Sequence, residues 1–143
     1  MKPIIAGLLL AAVSATVFAQ ASPAGLWKTI DDETNQEKSL VRITDIAGVL
    51  SGRIDKLTDP AKQDAKCDKC SDARKDQKVL GMTIIEGVKK AVGEDYWDGG
   101  TILDPNNGKV YKVRLTPKDG GKLLEVRGFI GPFFRNQQWI RVE

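Results

Sequence analysis

"GGTILDPNNGKVYKVRLTPKDGGKLLEVRGFIG", residues 99–131, decides the fold. Within it "KVYKVRLT" alternates strictly: Tyr111, Val113 and Leu115 fall on one face, Lys112, Arg114 and Thr116 on the other. A period of two, rich in β-branched residues, marks a strand with one face buried. Asn107-Gly108 before it suits a tight turn with positive φ, so "YWDGGTILD" is the preceding strand of a hairpin. "PKDGG" turns the chain again into "KLLEVRGFIG". There Leu124 and Val126 alternate with Glu125 and Arg127, while Leu123 and Phe129 share the Arg127 face.

The pattern continues upstream. "GLWKTID", "SLVRITDI" and "LSGRIDKL" read as short strands separated by polar turns, with Val41 and Ile43 on one face and Leu50, Gly52 and Ile54 on one side. "VLGMTIIEG" is a strand or one helical turn, and "NQQWIRVE" closes the chain. The stretch 59–78, "DPAKQDAKCDKCSDARKDQK", has almost no apolar side chains and reads as a long loop or a short exposed helix. A loop of this length inside a small domain points to function. About eight strands joined by turns predict an all-β antiparallel barrel or sandwich. Closing such a meander pairs the first strand with the last and removes both edges. Eight strands leave room for one small ligand.

The first 21 residues stand apart. Lys2 precedes the apolar run Ile4 to Val13, and Ala19 and Ala21 form a small-residue cleavage motif. This is the pattern of a secretory signal, with cleavage before Ser22 or before Gln20. The apolar run is too short for a membrane span. Residues 1–21 are therefore read as a signal peptide and 22–143 as one barrel domain, secreted or periplasmic. The whole chain carries +3; losing Lys2 leaves +2, from 21 basic and 19 acidic residues. Near balance gives no reason to propose nucleic acid or an anionic membrane as partner.

"GLWKT", "LSGRI", "CDKC", "GGTILDPNNGKVY", "EVRGFIG" and the closing W-x-R of Trp139 and Arg141 resemble the uncharacterised secreted bacterial family DUF2147, over Gly25 to Val142. That family is similar to the calycin group, small barrels of the lipocalin and fatty-acid-binding type. The resemblance implies a barrel with an interior cavity and a structural role for Gly25, Trp27, Trp139 and Arg141. Trp27 would pack across one end with the Arg141 guanidinium over its ring.

Cys67 and Cys70 are the only cysteines. An oxidising compartment favours a disulfide between them, pinning a local turn. A metal site would need about four ligands, and the chain has no histidine. Redox work needs C-x-x-C at a helix start after a strand, and here the preceding strand ends near Leu57. No metal or other cofactor is expected.

Without histidine, the Ser-His-Asp and Cys-His mechanisms cannot operate within this chain. The carboxylates, among them Asp31, Asp32, Asp98 and Asp104, fall at turns and strand ends, where solvated acids are ordinary. The expected function is non-catalytic binding of a small apolar or amphipathic ligand, such as a fatty acid. Its expected lining is Ile43, Ile54, Tyr111, Val113, Leu115 and Val126, with Trp97 and Phe129 added. Arg127 would pair with a ligand carboxylate if its face is the inner one. The alternative is an envelope protein-interaction module with a filled core, contacting its partner through 59–78 or Phe133–Phe134.

Overall fold

The computed structural model describes residues 21–143 and the isolated positions 3, 12 and 14. The expected signal peptide thus lies almost wholly outside the described residues.

Eight antiparallel strands close into one barrel in chain order. They are β1 (Gly25–Ile30), β2 (Glu37–Ile46), β3 (Val49–Leu57), β4 (Thr83–Lys90), β5 (Trp97–Asp104), β6 (Lys109–Lys118), β7 (Leu123–Ile130) and β8 (Phe133–Arg141). Each strand pairs with its successor, and β1 pairs with β8 through Trp27 opposite Arg141 and Lys28 opposite Ile140. Closure leaves no free sheet edge over the paired length. "VLGMTIIEG" resolves into a strand that begins only at Thr83, after Met82 has accepted a bond from the Ile54 amide (3.0 Å). β8 starts at Phe133, earlier than the closing "NQQWIRVE" suggested, because Gly131-Pro132 makes a two-residue turn that pairs Ile130 with Phe133. No helix among the described residues is long and apolar enough to cross a membrane.

The two ends of the barrel differ. At the end where β1 begins, Trp27, Ile43, Leu50, Ile85, Val88, Leu115 and Leu124 are all buried and fill the interior. Trp27 donates its indole N–H to Pro23 O (2.7 Å). The Arg141 guanidinium lies 4.2 Å from the Trp27 ring centroid. It also donates to the carbonyls of Gly121 (2.6 Å), Ala24 (2.9 Å) and Ser22 (2.6 Å). One cation thus covers the tryptophan and ties three chain segments at the end plug. Burial depresses its pKa, yet arginine keeps its charge.

At the other end the long segment between β3 and β4 folds across the rim. It is a loop with one 3-10 turn, Pro60–Lys62, started by the Asp59 side chain accepting from the Ala61 amide (2.9 Å). Lys66 and Lys78 bridge in antiparallel fashion, and Cys67 exchanges backbone bonds with Gln77 and Asp76. Cys67 and Cys70 form a disulfide, and both are buried.

Candidate functional site

The interior near the rim is hollow. A cavity of about 150 Å³ lies among the ends of β1, β3, β5 and β7 and the beginnings of β2, β4, β6 and β8. Ile54, Ile84, Ile102, Leu103 and Val126 give it apolar walls, and Trp139 closes it from β8. Gly128 helps make the space: a Cβ there would meet the Tyr111 side chain at 3.3 Å.

Polar groups are few and placed. The hydroxyls of Thr29 and Ser39 lie 2.8 Å apart, and Thr29 also reaches the Ser39 carbonyl at 3.3 Å. Thr29 has one proton: given to the Ser39 hydroxyl it leaves the Ser39 proton for whatever enters the cavity, and given to the Ser39 carbonyl it turns the Ser39 proton onto Thr29. The Tyr111 hydroxyl accepts from the Asn107 side-chain amide (3.0 Å), which leaves its own proton available. Trp139 donates its indole N–H to the Gln137 side-chain oxygen (3.0 Å).

Charged groups stand at the mouth. Arg135 of β8 holds Asp32 of the β1–β2 loop through two parallel bonds, one of 2.6 Å from Nε, and Gln137 adds a third at 3.3 Å. This contact pins a loop to a strand far away in sequence. The Arg135 guanidinium holds the Asp32 carboxyl below the usual carboxylate range, and Asp32 raises Arg135 in return. Asp31 is also lowered, by the Thr34 and Glu33 amides it accepts from within its turn. Asp104 caps the β5–β6 turn by accepting from the Asn106 amide (2.9 Å). Lys38 also lines the mouth.

The disulfide segment sits beside this mouth. Cys67 Sγ lies 3.7 Å from Pro105 O, a packing contact, since a disulfide sulfur has no proton to donate. Gly108, with φ +72°, lies so close beneath the loop that a Cβ would fall 1.9 Å from Lys69 O. Glycine is required twice over, by the left-handed backbone and by the contact.

The expected lining divides into three groups. Ile54, Tyr111 and Val126 do line the cavity. Ile43, Val113, Leu115 and Trp97 point inward but belong to the packed interior. Strand tilt separates register partners in depth: Val126 reaches the cavity, while Leu115 opposite it does not. Arg127 and Phe129 are corrected. They alternate with buried Leu124 and Val126 and so face outward. There the Arg127 guanidinium stacks 4.6 Å from the Phe134 ring centroid, beyond reach of an interior ligand.

Trp139, expected as a structural residue, lines the cavity. Its alternation with Gln137 and Arg135 carried that signal, because all three share one face of β8. Arg114, read on the face opposite Val113 and Leu115, lies on the outer face, 4.0 Å from the Tyr96 ring centroid and 5.6 Å from that of Phe129.

HP1028 from Helicobacter pylori, described as belonging to the lipocalin family, is similar in structure. The TM-score is 0.72 at 19% sequence identity, covering 86% of this chain and 84% of that one. At that identity the likeness establishes a shared fold. No curated protein matches the sequence. The model of DUF2147, uncharacterized proteins conserved in bacteria, matches residues 25–141. The chain belongs to the DUF2147 family, built here as a lipocalin-like eight-stranded barrel.

Proposed function

We propose that the protein is a non-catalytic binder of a small amphipathic molecule, held tail-first in the cavity. The carrying observation is a barrel packed at one end and hollow at the other, with apolar walls and a charged mouth. Binding pockets have this composition: mostly apolar surface with a few placed polar groups. The space is small. A cavity of about 150 Å³ in another protein takes up benzene, so the enclosed part of the ligand is on the order of six to eight carbons. A longer fatty acid would leave its remaining length in the mouth. Lys38 would face an anionic head there, and the Tyr111 hydroxyl would donate to it.

The rim carboxylates are occupied in turns and in the Arg135 contact, which supports binding over acid–base chemistry. The signal-like leader and the buried disulfide together support work in an oxidising, extracytoplasmic compartment.

Native mass spectrometry of freshly purified and delipidated protein tests the reading, followed by melting with straight-chain carboxylates of increasing length. The expected result is a bound mass in the fresh sample and a melting temperature that rises with chain length up to the enclosed limit. A bare chain mass, with no member of the series stabilising, would refute it. The competing interaction-module reading predicts instead one protein partner, lost on deleting residues 61–76.

A further inference from the structure

The β7–β8 hairpin outruns β1, which pairs with β8 only at Trp27–Arg141 and Lys28–Ile140, while β6 holds β7 as far as Phe129 and leaves only the turn beyond the wall. Its tip, "FIGPFF" from Phe129 to Phe134, contains no charged or hydrogen-bonding side chain. Phe133 is 75% exposed, Phe134 58% and Ile130 43%. Ile130 and Phe133 form one cross-strand pair, Phe129 and Phe134 the next. Successive pairs point to opposite faces, so the tip is apolar on both sides. A strand pair that docks on a protein surface needs one apolar face. A tip apolar all round fits a surrounding apolar medium.

Among the described residues a free cation stands directly behind it: exposed Lys112 lies opposite Phe129 on β6, while Arg127 stacks on Phe134 and also reaches Glu125 (3.5 Å), and Arg135 is held by Asp32. Apolar side chains ahead of an exposed lysine and a ring-stacked arginine match the boundary between acyl chains and anionic headgroups.

We propose that this tip inserts into the surface of an anionic lipid bilayer, docking the barrel with its cavity mouth at the membrane. The hairpin rises from the same end as the cavity, so a membrane-derived amphiphile would have a short path inward. Docking itself does not require the cavity to be occupied.

The test uses the full chain expressed with its own leader, and variants with the same N terminus. Sedimentation with phosphatidylglycerol–phosphatidylethanolamine vesicles is compared with pure phosphatidylcholine. Binding should favour the anionic vesicles. Phe133→Ser with Phe134→Ser should weaken it about tenfold or more, and Lys112→Gln about fivefold on anionic vesicles alone. Hydrogen exchange should show vesicles protecting the amides of residues 129–135, which excludes attachment through the leader. An unchanged melting temperature confirms that the variants fold. Lack of vesicle binding, or binding without protection at 129–135, overturns the proposal. So does self-association through the tip in place of vesicle binding.

Discussion

Replace Leu115 by alanine in one protein and Ile54 by alanine in another. Both truncations remove the same number of carbons, and both side chains are buried, at 0% and 3% exposure. The lost transfer energy is therefore similar, about 2 kcal/mol at ~0.8 kcal/mol per methylene. The difference lies in what surrounds each residue. Leu115 sits opposite Trp97 in the packed interior, so its removal opens a new void that adds roughly 2 kcal/mol. Ile54 already faces empty space, so its removal only widens an existing cavity. Leu115→Ala should cost about 4 kcal/mol and Ile54→Ala about 2. For a chain of this size about 3–5 °C accompany each kcal/mol, giving drops of ~12–20 °C and ~6–10 °C. Calorimetry on the delipidated protein reads both. Equal losses would mean that the mouth end is packed as tightly as the plug end, and the binding proposal would lose its footing. Ile54→Ala should also raise by about one or two carbons the chain length at which added stabilisation levels off.

Three further outcomes are expected. Gly108→Ala forces a Cβ against Lys69 O from a left-handed backbone, so it should lift the disulfide loop and speed tryptic cleavage between residues 62 and 78 while the strands stay intact. Cys67→Ser with Cys70→Ser should lower stability by about 2 kcal/mol or less, because the loop it opens is short, and should expose the same tryptic sites. Asp32→Asn should lower stability at pH 7 by at most ~1 kcal/mol, since the pair it breaks is partly solvated. Asp32 titrates below 3.8 in the fold, so its contribution is present above that value and fades as pH falls through the lower folded pKa. Melts of wild type and Asp32→Asn should then run apart from pH 8 to 5 and converge in acid.

The strands and their order were legible because alternation is a local property. Tyr111, Val113 and Leu115 must point one way and Lys112 and Arg114 the other, whatever the rest of the chain does. Asn107-Gly108 and the glycines near 120 and 131 then dictate hairpins, and hairpins dictate neighbours. Trp27 and Arg141 came together as expected because closure of the meander puts the first strand beside the last.

β7 was harder. It carries apolar side chains on both faces, so nothing local said which face is inner. The tertiary structure turned Leu124 and Val126 inward and left Arg127 and Phe129 outside. The hollow was illegible for a different reason. Alternation tells which side chains point into a barrel, and strand tilt decides how deep each one lies. Only the sum of eight strands shows that Val126 and Trp139 meet empty space while Leu115 and Leu124 meet neighbours. The place of the 59–78 segment against the β5–β6 turn likewise rests on contacts such as Cys67 to Pro105, separated by dozens of residues. Period and turn chemistry, set by sterics within a few residues, thus determined the antiparallel strands that close into the barrel. Where that barrel is filled and where it is open was decided by packing among residues distant in sequence.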